Sequence, residues 1–155
     1  MPIDRHNLPG YIRKSAGEWA VVSENKRSAR FRTPHDEEVL IIQVDGGLIT
    51  EGERADYVIA HTRTVDVIVE LKGSDTSKAI RQIRATRPVW MCHELAGKRL
   101  GALIVRGQGI HPKTSASIDR WQREFRKSFK MKLMIETRNR NYEFSEFLLP
   151  GAAIA

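Results

Sequence analysis

The chain has 155 residues, enough for one domain with a real core and too few for two of ordinary size. Its hydrophobic share of 41% and charged share of 29% fit a globular protein, and no apolar run approaches the length of a membrane span, so a membrane partner is not expected. A formal charge of +7, with an isoelectric point near 9.9, points to a polyanionic partner, of which phosphate backbones are the commonest.

The opening MPIDRHNLPGYIRK carries charge and proline where a secretory signal needs an apolar stretch, which leaves the cytoplasm as the expected compartment. One cysteine, Cys92, excludes an internal disulfide framework and reads as a buried or neutral thiol. The five histidines, His6, His35, His61, His93 and His111, show no metal-ligand spacing.

In chain order, residues 1–36 form a basic segment containing Lys26, Arg27, Arg30 and Arg32, closed by Pro34. Strong helix formers between Glu18 and Ala29 predict partial helix there, against the β-branched Val21 and Val22. The main domain is expected over 37–149. It opens with the run VLIIQV, Val39 to Val44, a strand closed by the turn residues Asp45, Gly46 and Gly47. A second strand is expected over Ala55 to Ala60. The third, Val65 to Lys72 (VDVIVELK), alternates so that Asp66, Ile68, Glu70 and Lys72 share one face, with Val67, Val69 and Leu71 on the other.

Gly73, Ser74 and Asp75 offer a turn and N-caps for a helix from about Thr76 to Arg87, with Ala79, Ile80 and Ile83 as its apolar edge and Pro88 as its stop. A strand over Arg99 to Val105 leads into a loop, Gly107 to Ser115, that lacks the order of a phosphate-binding P-loop. A second helix, Ser115 to Lys130, carries Ile118, Trp121, Phe125 and Phe129 as a buried stripe. Strands are expected at Lys132 to Thr137 and Tyr142 to Leu148, before a fraying tail at 150–155. Three strands, then helix, strand, helix and strand, describe one α/β domain with a mixed central sheet flanked by helices.

Phosphodiester hydrolysis needs converging carboxylates for a hard divalent cation and a fixed positive charge near the developing anion. Glu70 and Lys72, two apart on one strand, project from the same face roughly 7 Å apart, with the Leu71 carbonyl between them. Asp56, on the preceding strand, approaches Glu70 if the two strands pair as an antiparallel hairpin. A second acid-x-Lys triplet, Glu24-x-Lys26, lacks a strand pattern around it, so context selects Glu70-x-Lys72.

The stretch GERADYVIAHTRTVDVIVELKGSDTSKAIRQI resembles the core of the PD-(D/E)xK superfamily, which includes restriction endonucleases and Holliday-junction resolvases. The resemblance covers roughly a third of the chain. It implies a restriction-endonuclease-like α-β-β-β-α-β core and an endonuclease that hydrolyses DNA with Mg²⁺ or Mn²⁺. Asp56, Glu70 and Lys72 are then the catalytic residues, the metal is held by Asp56, Glu70 and the Leu71 carbonyl, and Gln82 is an accessory polar residue on the following helix. Ala55 stands where the signature has proline. An auxiliary acid is open among Asp45, Glu53 and Glu24, with Asp45 preferred because it closes a strand.

Each of these residues also has a plainer reading. Asp56, Glu70 and Lys72 as a solvated face would merely pair with neighbours, although the apolar opposite side suggests a central strand where unpaired charge is costly. Gln82 is otherwise a helix-surface residue, Asp45 a turn residue, and Asp66 solvent-facing or paired with Arg63. The basic positions Arg81, Arg84, Arg87, Arg120, Arg123, Arg126, Lys127 and Lys130 are solvated faces or contacts to DNA phosphates, Arg81, Arg84, Arg120, Arg123 and Lys127 being the candidates for the latter. Trp90, Trp121, Phe125 and Phe129 read as core side chains. A nuclease-fold module that binds nucleic acid or a protein without turnover is the alternative function. A homodimer is expected if both strands of a duplex are cut by one site per chain.

Overall fold

The structure is a computed structural model that describes residues 2–61, 63–71, 75–107 and 112–151, with only the backbone of residues 112 and 113. Its elements are β1 (Ile12–Lys14), β2 (Trp19–Glu24), β3 (Arg27–Arg32), β4 (Leu40–Gln43), β5 (Tyr57–His61), β6 (Val65–Glu70), α1 (Thr76–Met91), β7 (Leu100–Val105), α2 (Pro112–Glu124), β8 (Leu133–Glu136) and β9 (Arg140–Tyr142). A π-helical turn, Phe125–Phe129, continues α2, and a 3₁₀ turn, Phe144–Phe147, follows β9.

Six strands form a mixed sheet in the order β1-β4-β5-β6-β7-β8. The pairs from β1 to β6 are antiparallel, and β6, β7 and β8 run parallel, as strands joined by helical crossovers do. One face packs on α1 and α2 through Leu40, Ile42, Val58, Ile68, Ile80, Ile83, Ala102, Ile104 and Phe125. The other face, through Ile41, Ile59, Val67, Val69 and Leu103, packs on a small sheet, β2-β3-β9, and the 3₁₀ turn. The chain is thus a three-layer mixed α/β structure, with β6 buried along its whole length at the centre.

The alternation read from VDVIVELK holds over the described residues: Ile68 joins the helix-side core, and Val67, Val69 and Leu71 join the opposite one. Asp75 is the N-cap of α1, its carboxylate accepting the Lys78 N–H at 3.0 Å. Ala79, Ile80 and Ile83 are buried as expected.

Five expectations are corrected. The segment 1–36 is not partly helical: its described residues form β1, β2 and β3. Nor is it separate from 37–149, since β1 pairs with β4, and β3 with β9. Ala20 and Val22 point into the core while Val21 is exposed, a period of two that overrides the local helix formers. Helix α1 does not stop at Pro88 but runs one turn further, because the Trp90 side chain is drawn fully into the core. The expected strand at Tyr142 to Leu148 is β9, ending at Tyr142, and a 3₁₀ turn capped reciprocally by Glu143 and Glu146. Cys92 is exposed rather than buried.

Residues 73, 74 and 108–111, on which parts of the expected turn and loop fall, lie outside the described residues, as do His111 and residues 152–155 of the tail.

Candidate active site

β5 and β6 pair with Tyr57 opposite Val69 and Val58 opposite Ile68, and the Asp56 N–H, just ahead of β5, also turns to the Val69 carbonyl, so Asp56 and Glu70 lie at neighbouring ends of the two strands. The pleat gives Glu70 the side of Ile68, beneath the helices. Both acids are buried, Asp56 at 4% and Glu70 at 0% relative exposure. A solvated face that merely trims the strand edge is therefore not what the fold builds here.

Hydrogen bonds through its backbone and its carboxylate hold Asp56 in place. Its N–H donates to the Val69 carbonyl (3.2 Å), its carbonyl accepts the Val44 N–H (3.0 Å), and its Oδ2 accepts the Leu71 N–H (2.8 Å). The last bond ties the peptide of residue 71 directly to one of the two acids. Just before Asp56, the Ala55 N–H donates to the Thr86 hydroxyl of α1 (2.8 Å), which itself donates to the Gln82 carbonyl (2.9 Å). Gln82 thus enters the site's framework through its backbone. Lys72, the third residue of the expected triad, lies outside the described residues.

A buried guanidinium closes the same end of the sheet. Glu70 pairs with Ile104 across β6 and β7, and Arg106 follows two residues later with its Nη1 donating to the Thr76 hydroxyl in the first turn of α1 (2.6 Å). Arg27 reaches this end from the small sheet, since a Cβ added at Gly107 would lie 2.0 Å from Arg27 Nη2. The sequence reading singled out neither arginine for the site. The position of Arg106, one residue past an apolar strand parallel to β6, was the signal available for it.

The auxiliary acids do not assemble into a third ligand. Asp45 lies beyond β4 with its carboxylate on Arg54 Nε (2.7 Å). Burial first, then the charges of Glu24, Asp56 and Asp45, push the Tyr57 phenol upward, which places Glu24 and Asp45 around Tyr57. Glu53 is held toward α1 by Arg81 (3.2 Å). Among the described residues no group of three or more His, Cys, Asp or Glu side chains is placed to hold a metal ion. What the described site offers is two carboxylates and the neighbouring peptide, an all-oxygen set that suits magnesium-like cations better than zinc.

The expected DNA contacts divide into two groups. Arg81 is paired with Glu53, and Arg84 with Glu124. Arg120, Arg123 and Lys127 are exposed and make no ion pair among the described residues. Asp66 is a further correction: it is 1% exposed and accepts the Trp90 Nε1–H (3.0 Å) and the Gly97 N–H (2.7 Å) instead of meeting solvent or Arg63. Burial pushes its carboxyl up to about 6, against the lowering effect of these two donors.

The chain matches no protein-family model, no curated protein and no solved structure. No helix among the described residues is long and apolar enough to cross a membrane.

Proposed function

We propose that the protein is a metal-dependent endonuclease of the restriction-endonuclease-like type, hydrolysing phosphodiester bonds of DNA with Mg²⁺ or Mn²⁺. The observation that carries this reading is the burial of Asp56 and Glu70 at neighbouring ends of two adjacent antiparallel strands. Carboxylate oxygens enclosed at one end of the sheet are the ligand type that a hard divalent cation takes. The order β4-β5-β6-α1-β7, with β7 parallel to β6, supports the β-β-β-α-β part of the expected core. The helix that the resemblance implies ahead of it has no counterpart among the described residues, where β1 to β3 stand instead.

In this reading Asp56 and Glu70 supply ligand oxygens, joined by the Leu71 carbonyl. The Leu71 N–H bond to Asp56 fixes one carboxylate oxygen and keeps that peptide in register with both acids. When bound, the cation supplies a clamp for the scissile phosphate and acidifies a water. Lys72, assigned by the resemblance, orients that water and offsets the charge that develops on the phosphate. Arg106 adds fixed positive charge at the same end of the sheet. Exposed Arg120, Arg123 and Lys127 hold the backbone of the substrate without reading its bases.

A binding module without turnover is the second reading, favoured by the engagement of Asp45 with Arg54 and of Glu53 with Arg81. One assay separates the two. Purified protein is incubated with linear, circular, single-stranded and branched DNA, with and without magnesium or manganese, beside Glu70→Gln and Lys72→Ala. Metal-dependent cutting that falls at least a hundredfold in both variants is the expected result. Tight binding with no cutting of any substrate would leave the module.

A further inference from the structure

At the opposite end of the central sheet lies a cavity of about 280 Å³ between the last turn of α1, the loop into β7, the π-helical turn and the 3₁₀ turn. Met91, Leu100, Phe129 and Leu148 contribute accessible apolar surface to its lining, while Trp90 and Phe147, which also line it, are buried. Arg87, Lys98, Arg99 and Lys130 add four cationic side chains, and among the described residues no acidic one lines the cavity. None of the four makes an ion pair among the described residues, and the Arg87 guanidinium carbon lies over the Phe129 ring, 4.4 Å from its centroid.

The placement is distinct from the candidate active site. Asp66 pairs with Leu100 and Glu70 with Ile104, four residues further along the same two strands, a separation of roughly 13 Å. The wall is firm: Asp66, behind it, accepts hydrogen bonds from both Trp90 and Gly97, two of the lining residues.

We propose that this cavity binds one nucleotide unit, its phosphate among Arg87, Lys98, Arg99 and Lys130 and its flat base on the apolar lining. Four cations without a counter-charge exceed what a single carboxylate uses and suit a phosphate dianion. At about 280 Å³ the cavity lies just below the roughly 300–1,000 Å³ usual for ligand sites, a size that suits one nucleotide better than a dinucleotide. The unit is either a free mononucleotide or part of a strand. Arg81, Arg84 and Arg87 lie along α1, which leads from the candidate active site to the cavity, about 16 Å from Thr76 to Arg87. The binding site stands whether or not DNA is cut at Glu70.

The test is calorimetric titration of the full chain with adenosine monophosphate, adenosine, inorganic phosphate and a 5′-phosphorylated tetranucleotide. It is repeated on Lys98→Glu/Arg99→Glu and on Lys130→Glu, with thermal unfolding as the folding control. Mononucleotide binding tighter than phosphate or adenosine alone, weakened at least tenfold by either charge reversal, supports a free nucleotide. The same pattern seen only with the tetranucleotide supports a strand-borne unit. Two results overturn the proposal: no binding of either phosphate ester at millimolar concentration, or binding indifferent to both reversals in folded protein. Glu70→Gln is run in parallel, and binding that survives it while cleavage is lost keeps this site separate from the nuclease reading.

Discussion

The Thr86 hydroxyl, buried in α1, accepts the Ala55 N–H at 2.8 Å and so fixes the backbone one residue before Asp56. The same hydroxyl gives its proton to the Gln82 carbonyl, so a single side chain joins the helix to the start of β5. Thr86→Val keeps the shape and removes the acceptor, leaving the buried Ala55 N–H unsatisfied at a cost of about 1–3 kcal/mol. For a chain of this size that corresponds to roughly 2–4 °C of melting temperature per kcal/mol. Thr86→Ser restores the acceptor. If Thr86 positions Asp56, Thr86→Val lowers cleavage in the folded protein at 25 °C more than it lowers DNA binding, and Thr86→Ser recovers most of the cleavage.

Metal binding is measurable without turnover. A cation that binds only the folded chain at a hundred times its dissociation constant stabilises it by about 2.7 kcal/mol. Wild-type protein is therefore expected to melt several degrees higher with saturating magnesium or manganese than with a chelator. Asp56→Asn and Glu70→Gln should each lose most of that shift, and Asp45→Asn should keep it, because Asp45 is engaged by Arg54. An equal shift in all four proteins would place the ion elsewhere.

Basic surface residues make separable contributions to DNA affinity. Binding led by phosphate contacts weakens as salt rises, and each contact removed lowers the slope of log affinity against log salt by about one. Arg120→Ala, Arg123→Ala and Lys127→Ala should each reduce the slope by about that amount, since these side chains are exposed and free of ion pairs among the described residues. Arg81→Ala and Arg84→Ala should reduce it less, because Glu53 and Glu124 already occupy their charges. Filter binding across a salt series measures this, and five identical slopes would remove the helices from the interface.

The central strands were legible because their alternation is strong and unbroken: in VDVIVELK every other residue belongs to one of two cores. That regularity also carried Asp56 and Glu70 to the same end of two paired antiparallel strands. The β2–β3 hairpin was hidden by its turn, where Asn25 and Lys26 take φ values of 46° and 68° without a glycine to signal it. Asp66 was misread because its partners, Trp90 and Gly97, arrive from distant sequence and no local pattern announces them. Arg106 belongs to the same class, since its meaning depends on the parallel register of β6 and β7.

Asp66 gives the fold a pH dependence of definite sign. Its carboxyl titrates near 6 in the folded protein and near 3.8 when exposed, so between these values the folded state holds a proton that the unfolded state has released. Stability from this group is fully present below about pH 4, falls as pH rises, and is lost above about pH 6, a change on the order of 2–3 kcal/mol. Asp66→Asn keeps an acceptor oxygen for Trp90 and Gly97 and does not ionise. The stability of wild type relative to the variant, read from urea midpoints at constant slope, is expected to decline from pH 4 to pH 7. Other carboxylates titrate equally in both proteins and cancel in the difference. Parallel curves for the two proteins would show that burial does not raise this carboxyl.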